Sequence, residues 1–348
     1  MKQRLVNYDL IRVLACIFVI MIHIETKPFS FPVRVAYTTV FFLSNGIFYM
    51  LSGRFNLEQT FDQVGDYMNY YRKKCISILF PFILVSFLLS IFNYYHTEGS
   101  IALKSVCIFA FREFFALNSD KALWFMYPLI GFIVSAPFLS KMFHAMSDRE
   151  CMFMVAVAMI WNCVKVYLTT DFGVEFKFSG WLLETWILYF TAGYLVSRLI
   201  NEKNRKAVYL LGFAGYIITV ILRLVPSEQL AYLCDYSPAF FLFCIAAYDL
   251  AVRKFTIRNP YACRLVSWIA QHTFLIYLLH VHVMRYLVPY IAVPDTSSVP
   301  GYLLKSALIF ICSLICAVLL RALIIRPLQS LLKKLPGLRL TQQENKTT

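Results

Sequence analysis

The sequence predicts an all-α fold, a polytopic transmembrane helical bundle of about ten spans with N- and C-termini in the cytoplasm. Three observations predict it. Of the 348 residues, 60% are hydrophobic and 15% charged, with a mean hydropathy of +0.65, whereas soluble domains run at about 45–50% apolar and about 25% charged. Apolar runs near or above the roughly 18 residues that cross about 30 Å of hydrocarbon recur from end to end. Basic residues fall in short clusters between those runs rather than on one basic module, so the net charge of +14 reads as a topology signal and not as a nucleic-acid surface.

Hydropathy places spans near 5–25, 35–54, 76–95, 122–141, 150–168, 181–200, 206–224, 237–253, 265–287 and 301–325. These make one transmembrane domain over 5–327 and a cytoplasmic tail over 328–348, whose last residues, Thr341 to Thr348, are polar and expected to be disordered. The first run follows Met1-Lys2-Gln3-Arg4 like a signal peptide, but it carries Arg12 and lacks a small-x-small cleavage site, so it is expected to stay attached. The segment from Ile101 to Leu117 is apolar yet holds Lys104, Arg112 and Glu113, which predicts an interfacial or re-entrant helix.

An inside N-terminus puts Lys2/Arg4, Arg72-Lys73-Lys74, Lys141/Arg149, Arg198 to Lys206, Arg253 to Arg264 and Arg326 to Arg339 in the cytoplasm. The opposite loops hold only scattered cations, among them Lys27, Arg34 and Arg223, which is the positive-inside bias. Most of the ten cysteines lie inside apolar runs and no C-x-x-C pair occurs, so neither a disulfide framework nor a zinc site is expected. His96, His144 and His272 form no metal-ligand spacing.

The first span holds the most informative residues. Arg12 and His23 are eleven positions apart, which on an α-helix is about 20° around the axis and about 16 Å along it. An arginine within hydrocarbon costs roughly 2.5–3.5 kcal/mol on insertion scales and normally faces a polar interior. The alternative is an Arg12 that snorkels to headgroups and a His23 that merely ends its helix. In the ninth span Tyr277 and His280, three apart, share one face, while His282 points elsewhere.

Four blocks then resemble the acyltransferase-3 family of membrane acyltransferases: Asp9-x-x-Arg12-x10-His23, Phe41-Phe42 through Leu51-Ser52-Gly53, Leu123-Trp124-Phe125, and Ile276-Tyr277-Leu278-Leu279-His280. Their order and spacing run from the N-terminus to the tail. The resemblance implies transfer of an acyl group, usually acetyl from cytoplasmic acetyl-CoA, to a hydroxyl of a carbohydrate or lipid-linked glycan such as O-antigen, capsule or another exopolysaccharide. It also implies residence in a bacterial inner membrane, with no permanently bound cofactor.

In that reading Arg12 meets donor phosphate and His23 is the catalytic imidazole, as general base or as acyl carrier. Tyr277 or His280 orients His23 or donates to the oxyanion, unless the pair only joins helices. Arg72, Lys73 and Lys74 fall on the family's basic block before the third span and fit either CoA phosphates or a topology signal. Ser52 is placed on the donor side but has no acid-base partner in sequence, and Gly53 permits close approach of a ligand or, more commonly, a neighbouring helix. Trp124 is a candidate for acceptor stacking or an ordinary belt residue.

Two departures bear on this: Ala122 stands where many members have histidine before Leu-Trp-Phe, and Lys74 stands nearest the usual arginine of the basic block. A lysine makes no bidentate phosphate contact. With the chain ending soon after its last span, transfer is expected within the membrane domain itself. The rival is a transporter or flippase with Arg12, His23 and His280 lining the path. Paired Gly/Pro-interrupted spans or an internal repeat would favour it and are not evident.

Overall fold

The structure, a computed structural model, describes residues 6–25, 27–98, 103–116, 121–170, 177, 183–225 and 237–335. Among the described residues every regular element is a helix. We label them α1 (Val6–His23), α2 (Phe31–Leu57), α3 (Val64–Lys74), α4 (Phe80–Glu98), α5 (Leu103–Ala116), α6 (Met126–Ala145), α7 (Asp148–Thr170), α8 (Trp186–Leu199) and α9 (Arg205–Leu224). There follow α10 (Pro238–Lys254), α11 (Pro260–Ala270), α12 (Thr273–His282), α13 (Val288–Ile291), α14 (Val299–Leu320) and α15 (Arg326–Leu332).

Sequence punctuation explains many of the boundaries. Ser237, Asn259 and Ser298 cap α10, α11 and α14 by accepting from backbone N–H groups of the first turn, each with a proline just inside the helix. Three π turns, Cys75–Leu79, Val283–Leu287 and Arg321–Ile325, join α3 to α4, α12 to α13 and α14 to α15. Each ends two residues before a proline: Pro81, Pro289 and Pro327. A proline ring clashes with the carbonyl four residues back. Those carbonyls belong to Ser77, Arg285 and Leu323, inside the π turns, where the widened helix makes room.

Inside α6 the same conflict is met differently. Pro137 cannot donate to the Ile133 carbonyl, and the Tyr70 hydroxyl lies 3.0 Å from that oxygen while Tyr71 donates to the next, Val134, at 2.8 Å. The Tyr70 side chain thus reaches the carbonyl freed by the proline, and Tyr71 reaches its neighbour.

Seven described helical segments are long and apolar enough to cross a membrane: Val6–His23, Phe31–Leu57, Val64–His96, Leu123–Ala145, Arg205–Leu224, Thr273–Ile291 and Val299–Leu332. The other three expected spans are helical as well, in α7, α8 and α10, but do not meet that criterion of length and apolarity. The segment expected to be interfacial or re-entrant contains α5, 14 residues long and packed on α4. That is about 21 Å, short of the hydrocarbon core. The side chain of Glu113 and the tail from 336 to 348 lie outside the described residues.

The core is apolar, but so is much of the outer surface, and polar groups are found inside. Phe111, Phe153, Leu210, Phe213 and Leu323 are exposed, while Ser140, Asn162, Asp249 and His280 are buried. Closest approach is at α2 and α8. A Cβ on Gly53 would lie 1.6 Å from the Phe190 carbonyl oxygen, and one on Gly193 would lie 1.8 Å from that of Met50. Gly53 therefore serves a neighbouring helix, the commoner of its two expected uses.

Candidate active site

Helix α1 supplies both ends of the site. Arg12 lines a cleft of about 230 Å³, and His23, at the other end of the helix, holds its ring 5.1 Å from that of His280 on α12. Tyr277 connects the two. It lines the cleft, its ring is 5.6 Å from Phe125 and 5.8 Å from His280, and it is buried.

Arg12 is positioned from its own first turn. Its Nη1 lies 3.7 Å from Asp9 Oδ1, and its guanidinium carbon lies 5.9 Å from the centre of the Phe55 ring. Asp9 is buried and accepts a 2.7 Å hydrogen bond from Ser267 Oγ on α11. A buried carboxylate so held fixes the side chain of the cation it faces. The resemblance gave Asp9 as part of a motif without a role; the i,i+3 spacing to Arg12 was the available signal, and Ser267, 258 residues away in sequence, had none.

The opposite wall comes from α2 and α3. The Lys74 ammonium sits 5.2 Å from the Tyr70 ring centre, and the Tyr70 hydroxyl lies 3.0 Å from Asn56 Oδ1. Asn56 Nδ2 donates to the Ser52 carbonyl at 2.6 Å and lies 3.2 Å from Ser52 Oγ. Ser52 therefore lines the cleft with an amide for company rather than a base. Arg72 and Lys73 do not line it, because helical spacing turns them away from Lys74, and Lys73 is exposed.

At the histidine end, His280 Nδ1 lies 2.6 Å from the Tyr277 carbonyl. A carbonyl only accepts, so Nδ1 carries a proton and Nε2 is the nitrogen left to accept when the ring is neutral. His282 points elsewhere, with Nε2 3.2 Å from Asn93 Oδ1. Trp124 is half-buried and packs 5.4 Å from Trp186, outside the cleft. The side chain of Ala122 lies outside the described residues. Among the described residues no group of three His, Cys, Asp or Glu side chains is placed to hold a metal ion.

Among the described residues the chain is all-helical, with seven segments long and apolar enough to cross a membrane and with Arg12 and His23 on the first of them, which is the make-up of a multi-pass membrane protein. The family model described as an acyltransferase domain matches residues 5–322, nearly the whole chain, and the protein belongs to that acyltransferase-3 family of membrane acyltransferases. No curated protein and no solved structure matches it.

Proposed function

We propose that the protein is an O-acyltransferase that moves an acetyl group from cytoplasmic acetyl-CoA to a hydroxyl of a cell-envelope glycan, in the inner membrane of a bacterial cell. The observation that carries this reading is the pairing of His23 with His280, rings 5.1 Å apart, beyond a cleft lined by Arg12, Lys74 and Tyr277. Arg12 and Lys74 offer charge to donor phosphates, and the cleft directs an extended pantetheine arm toward the histidines.

His23 removes the proton of the acceptor hydroxyl as its oxygen attacks the thioester carbonyl, and the tetrahedral intermediate collapses to the ester and the CoA thiolate. The imidazolium returns that proton to the leaving sulfur, so CoA leaves as the thiol. His280, with its Nδ1 proton committed to the Tyr277 carbonyl, faces the His23 ring as a positioning residue. No permanently bound cofactor or metal enters this scheme.

The test is transfer of label from radiolabelled acetyl-CoA to envelope glycan in membranes carrying wild type, His23→Ala or no copy of the chain. Wild type is expected to incorporate label, and His23→Ala to lose about 10²–10⁴-fold in rate at equal protein level. Wild type equal to empty membranes across a broad acceptor panel would move a transporter to first place. Undiminished label from His23→Ala would keep the enzyme and remove the mechanism.

A further inference from the structure

The end of the bundle where His23 sits gathers three cations that the donor cleft does not use. Lys27, four residues after His23, donates to the Ile24 carbonyl. Arg34, in the first turn of α2, lies 5.6 Å from the Phe31 ring centre. Arg223, in the last turn of α9, crosses to the same part of α2, donating from Nη1 to Thr39 Oγ1 at 2.7 Å and lying 3.3 Å from the Val35 carbonyl oxygen. The Tyr37 hydroxyl donates to the Pro28 carbonyl at 3.1 Å, which holds the connection carrying Lys27 against α2. All three cations are half-buried.

They repel one another. Burial lowers the pKa of the Lys27 ammonium, and Arg34 and Arg223 lower it further, with Glu25 opposing them. The first turn of α2 contains no acid. Lysine and arginine are depleted on the outer side of membrane proteins, the side on which the positive-inside bias puts these three. An anion bound among them relieves the repulsion, and arginine in particular suits the paired oxygens of phosphate and carboxylate.

We propose that Lys27, Arg34 and Arg223 bind an oxyanion of the acceptor, a phosphate, diphosphate or carboxylate, and thereby hold its hydroxyl beside His23. The proposal rests on the reading above, in which His23 takes the proton of the acceptor hydroxyl. It makes the acceptor an anionic glycan or a glycan on an anionic carrier, and excludes a neutral free sugar.

The test uses full-length protein in nanodiscs of phosphatidylcholine, with labelled inorganic pyrophosphate as probe and saturating coenzyme A present to fill the donor side. Wild type is expected to bind pyrophosphate saturably and less tightly as salt rises. A Lys27→Gln/Arg34→Gln double variant is expected to weaken that binding at least about tenfold, with Lys27→Arg close to wild type. Arg223 is left in place because it also ties α9 to α2. Equal thermal unfolding of wild type and the double variant shows that the loss is one of binding.

Absent saturable binding, or equal affinity in the double variant, overturns the proposal. So does loss of pyrophosphate binding when phosphatidylglycerol is added to the discs, which assigns the cations to lipid headgroups. Acetyl-CoA binding to the same discs reports on the donor separately: its absence with the Lys27/Arg34-dependent signal intact sinks the donor assignment and leaves the anion site standing.

Discussion

Asp9 gives Arg12 a fixed direction without neutralising it. The ion pair is 3.7 Å long, and Arg12 keeps 30% of its side-chain surface exposed and lines the cleft. A lysine there would keep the charge and lose the planar fork. Arg12→Lys is therefore expected to raise the KM for acetyl-CoA about tenfold with a smaller effect on kcat, and Asp9→Asn to raise it several-fold; donor titrations of acyl transfer in membranes separate the two parameters. A fall in kcat at constant KM would place Arg12 at the chemistry instead. The shared face of Arg12 and His23 was legible because helix geometry alone fixes it. What the sequence could not carry were partners brought by the fold: Ser267 on Asp9, Trp186 on Trp124, and the α2 and α12 residues that line the cleft with Lys74.

At the scale of elements, α2 is the axis that packs on α1, α8 and α6, and its closest contact is backbone to backbone through glycine. A methyl group at Gly53 or Gly193 meets a carbonyl that cannot move without its helix. Gly53→Ala and Gly193→Ala are each expected to destabilise the bundle by about 1–3 kcal/mol through overpacking. Gly131→Ala is the control: nothing lies within 4 Å of its added Cβ, and removing a helical glycine is worth up to about 0.5–1 kcal/mol of stability. Thermal unfolding in detergent reads all three, and equal midpoints for Gly53→Ala and Gly131→Ala would show that the α2–α8 contact yields easily. Helices were legible from hydropathy and many of their ends from Ser/Asn-Pro punctuation. The π turns and the tyrosines under Pro137 were not, because a proline announces a conflict but not how neighbours resolve it.

For the molecule as a whole, side-chain contacts sort the helix ends into two sets. Asn7 Nδ2 donates to the Val252 carbonyl, Ser140 Oγ to that of Leu57 at 3.1 Å, Arg198 to those of Phe143 and Met146, and Arg253 Nη2 to that of Ile200, so these five regions share one end. The other end joins Met21 to Tyr302, Val35 to Arg223 and Lys165 to Glu184. The first set contains most of the clustered arginines and lysines, so the positive-inside bias predicts that it faces the cytoplasm. Cysteine labelling tests this directly. Gln59 and Lys203 belong to the first end and Ser297 to the second, and all three are exposed. Ser297→Cys is expected to react with a membrane-impermeant maleimide in intact cells above the wild-type background, and Gln59→Cys and Lys203→Cys only after permeabilisation. Labelling of Gln59→Cys from outside would invert the bundle, putting Arg12 at the outer face and His23 at the inner one. The donor would then have to approach the histidines first, and the assignment of Arg12 to cytoplasmic CoA would fail along with the acceptor site at Lys27.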